Sequence, residues 1–514
     1  MPIIGSLLQG VVSLKRKGIE KKTSNVKHQR IVLKKLLVKA KNTAFGKAYG
    51  FSIILKAEDI LEAFRRHVPV YDYESMHEKW WYRLSRGEAN VCWPGKVKYF
   101  ALTSGTASAS SKKIPVTSDM IQAIRRTGVK QLLTVKELDL PPDFFQKSVL
   151  MLGGSTKLIK VADYMEGDLS GIMQRKLPFW FSSFYKPGKP IAKERDWNKK
   201  LDHITRMAKK WDIVAVVGVP AWVQLAMERI IDYYKVKNIH DIWPNLSIFV
   251  HGGVSFLPYK KSFSALLGRD IAYLETYLAS EGFLAYQKYK KGGMQLVIDG
   301  GIFFEFIPFT EENFSPDGNL KKEAQTLMLD EVTENQDYAI LISTVAGAWR
   351  YLIGDTVRFT SVNNFEIVIT GRTKHFLSLC GEHLSVDNLN RAMEMVADDI
   401  KININEFSVA GISHGTMFAH KWYVGVDINP QAVNAEVIKV KLDQALKEIN
   451  DDYAVERTAA LKDIFVEVIP VSLFYQYLKS KGKEGGQNKF PRVIKGFYEE
   501  WDDFVRRNYR EKCM

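Results

Sequence analysis

The chain has 514 residues, 46% hydrophobic and 25% charged, the balance of a globular protein with room for two or more domains. No apolar run reaches the roughly 18–20 residues needed to cross a bilayer. The first residues carry their cations after the apolar part, the reverse of a secretory signal, so the cytoplasm is the expected compartment. The net charge of +15 is local, because the first 50 residues hold twelve lysines or arginines against the single acid Glu20. That leaves +4 for all the rest, which argues against a nucleic-acid surface. Cys92, Cys380 and Cys513 form no C-x-x-C pair, and no H-E-x-x-H occurs, so neither a disulfide framework nor a zinc site is suggested.

Helices are expected up to about residue 70, with Ile31, Leu33, Leu37 and Ala40 as an apolar stripe in the first of them. The aromatic run Lys79 to Leu84 reads as core cover, and Trp93-Pro94-Gly95 as a turn into a strand. The stretch 98–117, KYFALTSGTASASSKKIPVT, passes from that strand into ten residues of Thr, Ser, Gly and Ala, then closes on Lys112, Lys113 and Pro115. Backbone N–H groups, hydroxyls and an ammonium can gather there on an anion, phosphate first among them. A Ser-rich surface turn has the same composition, and the spelling G-x-x-x-x-G-K-[ST] is absent, which disfavours a P-loop enzyme.

Residues 118–134 read as a helix capped by Ser118 or Asp119. Strands and helices then alternate: strands at 148–154, 213–220 and 246–253, two of them ending in Gly-Gly, with helices between. Apolar strands in such an order predict an α/β core with much parallel sheet, whose strand ends are where ligands bind. Residues 293–308 and 337–370 are hairpin-like, and from about 373 the pattern becomes that of a smaller α+β domain.

In ETYLASEGF a carboxylate, Glu281, stands at a loop beside Ser280, suited to a Mg²⁺ that also holds phosphate oxygens, with Tyr277 placed to flank a purine. The competing reading is a core tyrosine and a solvated glutamate. Gly354-Asp355 reads as a turn with an acid at its tip, either a plain turn or an acceptor of ribose hydroxyls. Arg372 follows in a Gly-Arg segment that fits a hinge, and is either a phosphate or ribose contact or a structural ion pair. The late loop 479–494 is glycine-rich and basic, the kind that carries one lysine into a closing site. Trp180, Phe181 and Trp222 read as core.

Taken in order, these segments resemble the adenylate-forming superfamily, and within it bacterial members of the Gretchen-Hagen-three family of acyl-acid amido synthetases, from about residue 65 to 495. TSGTASASSKKIP is similar to that family's first nucleotide motif, TYLASEG to its second and YLIGD to its third; GRTKHF, GEHLSVDN, NDDYAVER and GGQNKFPR are similar to further family segments. The sequence departs from the family at Ala109, usually glycine, and at Leu352, an arginine in plant members.

The resemblance implies an α/β fold with a large N-terminal domain of mixed and parallel sheets (1–372) and a smaller, mobile α+β C-terminal domain (373–514). It implies an ATP- and Mg²⁺-dependent ligase that adenylates a small carboxylic acid and passes the acyl group to an amine, an amino acid's. By the same resemblance Thr103, Ser104, Gly105 and Thr106 cradle the ATP phosphates with Lys112 beside them. Gly252 and Gly253 sit by the adenine with Tyr277 against it, and Glu281 holds Mg²⁺ with Ser280 at the α-phosphate. Asp355 holds the ribose, helped by Arg372, while Lys374 marks the hinge and Lys489 enters with the small domain. A monomer is expected. Thioester formation with coenzyme A, or nucleotide binding without catalysis, are the alternatives.

Overall fold

The structure is a computed structural model that describes residues 25–103, 112–135, 138, 143–177, 183–253, 255–289, 291–315, 318–374, 377, 379, 382, 384–414, 417–457, 461–483 and 489–511. It has a large N-terminal domain and a smaller C-terminal one. No helix among the described residues is long and apolar enough to cross a membrane.

The helix Asn25–Ala40 opens the described chain. Its buried stripe is Leu33, Leu36, Leu37 and Ala40, with Ile31 facing outward rather than inward as the spacing suggested. Its buried Gln29 fastens it to the sheet, donating to the carbonyls of Ile298 (2.6 Å) and Ile302 (3.0 Å) and accepting from the Phe304 amide (2.8 Å). Trp80 and Trp81 cover the core as expected, in an aromatic cluster with Phe45, Tyr71 and Trp349.

A small sheet follows. Strands β1 (Tyr99–Thr103) and β2 (Lys112–Val116) pair antiparallel with Thr103 opposite Lys112, and β1 pairs parallel with β5 (Tyr164–Gly167), which pairs with β4 (Ile159–Val161). Pro115 lies in β2, an edge strand, where its missing N–H costs no ladder bond. The helix Ser118–Thr134 comes next, and its cap is Thr117 rather than Ser118 or Asp119: the Thr117 hydroxyl accepts from the Met120 amide.

The central sheet has eleven strands and two halves. Strands β3 (Ser148–Leu152), β6 (Tyr185–Lys186), β7 (Ile213–Gly218), β8 (Ile248–Gly252) and β9 (Ala272–Ala279) run parallel in the order β6-β3-β7-β8-β9. Of these, β3, β7 and β8 are the apolar runs the sequence marked, and helices such as Pro220–Tyr234 cross between the strands. From β9 the sheet continues antiparallel through β10 (Gly282–Gln287), β11 (Met294–Leu296), β15 (Glu366–Arg372), β14 (Tyr351–Ser361), β13 (Asp337–Thr344) and β12 (Ile302–Pro308).

The C-terminal domain is built on a third sheet, in the order β18 (Leu461–Pro470), β17 (Met417–Val426), β16 (Glu406–His414), β19 (Val493–Ile494). Neighbouring residues send their side chains to opposite faces. Val409 and Trp422 pack under the helices Val386–Ile400 and Ala435–Ile449, while Ala410 and Tyr423 pack under Ser472–Ser480 and Tyr498–Val505.

One buried ion pair braces the antiparallel half. The Arg350 guanidinium donates to Glu305 on β12 at 3.1 and 3.2 Å and to the carbonyls of Arg65 (3.1 Å) and Val68 (2.9 Å), tying the N-terminal helices to the sheet. Arg350→Ala would leave the buried Glu305 carboxylate with Arg65 alone, 3.3 Å away. Loss of about 3 kcal/mol in urea denaturation is expected; an unchanged midpoint would show that the pair contributes nothing.

Candidate active site

Three of the parallel strands, β3, β7 and β8, run out into glycine. Gly153 and Gly154 follow β3, Gly218 closes β7, Gly252 closes β8 and Gly253 follows it, and all of them line one cavity of about 1340 Å³. Open α/β sheets bind ligands at such strand ends. Two of these glycines are required by close approach. A Cβ on Gly252 would lie 2.3 Å from the Thr276 carbonyl oxygen, and Gly253, at φ +83°, would place one 2.9 Å from the Lys489 ammonium.

Asp355 stands at the centre. It is not at a turn, as Gly-Asp suggested, but inside β14, where Ile353, Gly354 and Asp355 together oppose Ile340. Gly354 adopts φ +88° in this bulge. The extra residues re-aim the strand, a use of bulges common beside active sites. Asp355 Oδ2 accepts from the Tyr277 hydroxyl at 2.6 Å and Oδ1 from Arg372 Nε at 2.7 Å. Arg372, the register partner of Asp355 at the end of β15, is thus in an ion pair within the sheet.

Tyr277 lines the cavity while packing in the core, only 5% exposed, with its hydroxyl buried. Burial and the Asp355 carboxylate keep that hydroxyl protonated.

Ser280 and Glu281 form the two-residue loop of the hairpin between β9 and β10. A hairpin tip is normally wet, yet Glu281 is only 8% exposed. Burial, and then the nearby Asp355 charge, push its carboxyl up to about 7. No hydrogen bond to another residue's side chain holds it among the described residues. The tyrosine of this motif is therefore core, but the glutamate is not solvated.

Lys112, which lines the cavity, has its ammonium 3.5 Å from Glu74 and 4.8 Å from the Tyr73 ring centre. Thr103 lies opposite it in β1. Ser104, Gly105, Thr106 and Ala109 lie outside the described residues, as do Trp180 and Phe181. Leu352 is part-buried in β14, opposite Leu341. Trp222 is core, edge-on to Trp197 at 4.8 Å, with one side on the cavity. Lys374 is an exposed residue of the cavity rim.

The C-terminal domain closes the cleft. Lys489 reaches across to donate to the Gly253 carbonyl, bringing its ammonium among the residues around Asp355. Burial and the Arg372 cation lower it to about 8, against the opposing pull of Asp355. Of the residues expected at the site and described here, Gly252, Gly253, Tyr277, Ser280, Glu281, Asp355, Arg372, Lys112 and Lys489 all line the one cavity.

Sequence reasoning missed two of its groups. Glu275 on β9 and His251 on β8 are register partners. Burial pushes the first up to about 7 and the second down to about 4, so the imidazole is neutral. The period of two placed Glu275 on the same face as Tyr277, which was the available signal. Beyond them the cavity runs on as an apolar chamber walled by Leu132, Phe144, Val149, Met151 and Val217 and also lined by Arg125 and Gln131.

Three family models match: the GH3 family N-terminal domain over residues 15–208, the central domain over 295–372 and the C-terminal domain over 387–496. The chain belongs to the GH3 family and is an adenylate-forming ligase. Among solved structures it is similar to the GH3.15 acyl acid amido synthetase at 14% identity, covering 98% of this chain and 96% of that one with a TM-score of 0.75. A structure of AtGH3.15 acyl acid amido synthetase in complex with 2,4-DB matches at 17%, 99% and 97%, TM-score 0.76. A 2-hydroxyisobutyryl-CoA ligase in the postadenylation state, in complex with 2-HIB-AMP, matches at 12%, 95% and 92%, TM-score 0.59. At such identities the likeness is one of fold. No curated protein matches by sequence.

The buried Glu281 carboxyl destabilises the fold when ionised. Raised from 4.5 to about 7, it imposes a penalty that is absent below 4.5 and complete above about 7. Glu281→Gln should therefore raise stability by up to about 3 kcal/mol at pH 8, with the gain vanishing near pH 4.5. An equal gain at both pH values in denaturant titrations would contradict this environment.

Proposed function

We propose that the protein joins a small carboxylic acid to an amine, an amino acid's, through an acyl-adenylate, with release of AMP and pyrophosphate. The observation that carries this is the meeting of Lys489 from the C-terminal domain with Gly253, Glu281, Asp355 and Arg372 in one cleft. A carboxylate is a poor acylating agent until its oxygen becomes part of a good leaving group. Attack on the α-phosphorus of ATP achieves that, and positioning with charge stabilisation is what the protein must add.

In this reading Thr103, Ser104, Gly105, Thr106 and Lys112 cradle the phosphates. Gly252 and Gly253 leave room for the adenine. Asp355 meets the ribose hydroxyls by sharing or exchanging the bonds it makes to Tyr277 and Arg372. The acid's apolar body occupies the chamber under the helix Ser118–Thr134. Lys489 stabilises the negative charge as pyrophosphate departs. The amine then attacks the acyl carbon and AMP leaves.

Mg²⁺ fits the donor set in one way. Among the described residues no three acids, histidines or cysteines cluster, so a resident metal is not provided for. One buried carboxyl without a side-chain partner, Glu281 beside Ser280, suits a Mg²⁺ that arrives with the phosphates and neutralises their charge. We place the domain boundary after Arg372, giving 1–372 and 373–514, with Lys374 at the hinge.

Purified protein given Mg-ATP, pooled carboxylic acids and mixed amino acids should yield AMP and a new amide mass. ADP would sink the proposal, and a coenzyme A thioester formed in place of an amide would reassign the acceptor.

The pH dependence of kcat/KM for ATP reports groups of the free enzyme. Glu281 must be ionised to meet Mg²⁺, so activity rises with pH through about 7. Lys489 must stay charged, so activity falls through about 8. The alkaline limb should vanish in Lys489→Ala, together with a roughly hundredfold fall in the adenylation rate and little change in the KM for ATP. An alkaline limb that persists in this variant would remove Lys489 from the step.

A further inference from the structure

Two of the ties across the cleft lie close together in sequence on each of its sides. Lys489 donates to the Gly253 carbonyl. Six residues beyond Gly253, the Tyr259 hydroxyl donates to Glu406 Oε1. Glu406 opens β16, and its second oxygen, Oε2, accepts from Arg492 Nη1 at 2.9 Å. Arg492 is three residues from Lys489, a reach of at most about 11 Å of chain.

The two sides of this tie are unequally built. Arg492 is anchored in the C-terminal domain, donating also to the carbonyls of Phe407 (3.0 Å) and Asn405 (3.1 Å), its guanidinium 4.3 Å from the Phe407 ring centre, and it faces the Tyr259 hydroxyl as well. The Arg492 carbonyl in turn accepts from the Val409 amide at 2.9 Å. The segment bearing Lys489 is thus rigidly joined to Glu406. On the other side Tyr259 is 3% exposed, packed in the N-terminal domain's core with Phe256 and Phe263.

When the two part, Glu406 keeps Arg492 and no buried charge is left alone, the condition that makes a buried contact reversible. The neighbouring polar contacts are weaker. Ser262 Oγ has one proton for three acceptors, Gln224, Asn405 and the Tyr259 carbonyl. Lys261 and Asp398 are exposed and 4.0 Å apart.

We infer that Tyr259 is a positioning residue for Lys489: by holding Glu406 it fixes the C-terminal domain where the Lys489 ammonium reaches the cleft, and release of that one bond frees the domain to move. Its consequence for catalysis rests on the role proposed above for Lys489; the clamp itself does not. A hydroxyl bonded to a carboxylate is worth roughly a ten- to hundredfold change in the population it favours.

The test uses the full chain and Tyr259→Phe, which keeps the buried ring. Acetylation of Lys489 by acetic anhydride, followed by mass spectrometry with the exposed Lys235 as internal control, reads the closed population without any substrate. Lys489 should react about ten- to a hundredfold faster in the variant, with Lys235 unchanged; an unchanged Lys489 rate overturns the clamp.

ATP–pyrophosphate exchange with pooled benzoate, phenylacetate and hexanoate then reads function. Tyr259→Phe should lower it by the same factor at constant KM for ATP, and should cost nothing further in a Lys489→Ala background. Additive losses would show that Tyr259 does not act through Lys489. Should Lys489→Ala exchange at the parent rate, the role of Lys489 fails, while acetylation still decides the clamp. Should none of the pooled acids support exchange, acetylation alone decides.

Discussion

The bonds made by Asp355 join parts of the molecule that sequence keeps far apart. One carboxylate oxygen holds Tyr277 at the end of the parallel half of the sheet, the other holds Arg372 at the end of the antiparallel half. Its charge adds to the effect of burial on the groups around it: after burial it helps push Glu281 up and keep Tyr277 protonated, and it opposes the loss of the Lys489 proton that burial and Arg372 favour. A cleft in which burial pushes two carboxyls, Glu281 and Glu275, up to about 7 and lowers one ammonium to about 8 is poised between protonation states, as functional sites often are.

The sheet's two halves divide the work. Strands β3, β7 and β8 bring glycines at their C-terminal ends to the cavity, so backbone forms part of that wall. The antiparallel half supplies fixed charge from β14 and β15, braced from behind by Arg350 and Glu305. The C-terminal sheet brings one lysine on a segment anchored by Arg492 and Glu406. Each contribution comes from a rigid element, which is what positioning chemistry requires.

Much of this was legible from local pattern. Apolar runs with Gly-Gly ends marked β3 and β8 because burial on both faces leaves a continuous hydrophobic signal. Gly354-Asp355 was misplaced because glycine at positive φ beside an aspartate has the same spelling in a turn and in a bulged strand; only pairing with β13 distinguishes them. Glu275 escaped notice since a strand acid reads as solvated until its neighbour, His251, is known. The triad Tyr259, Glu406 and Arg492 has no sequence signature, being assembled across some 230 residues by the docking of two domains.

The central claim is that a carboxylate oxygen attacks phosphorus. Acid labelled with ¹⁸O in its carboxylate, turned over with Mg-ATP and an amine, tests it most directly by mass spectrometry of the nucleotide. One ¹⁸O in AMP for each amide formed is the predicted result, since the bridging oxygen of the acyl-adenylate leaves with AMP. Label in inorganic phosphate with unlabelled nucleotide would place the attack at the terminal phosphorus and contradict the account.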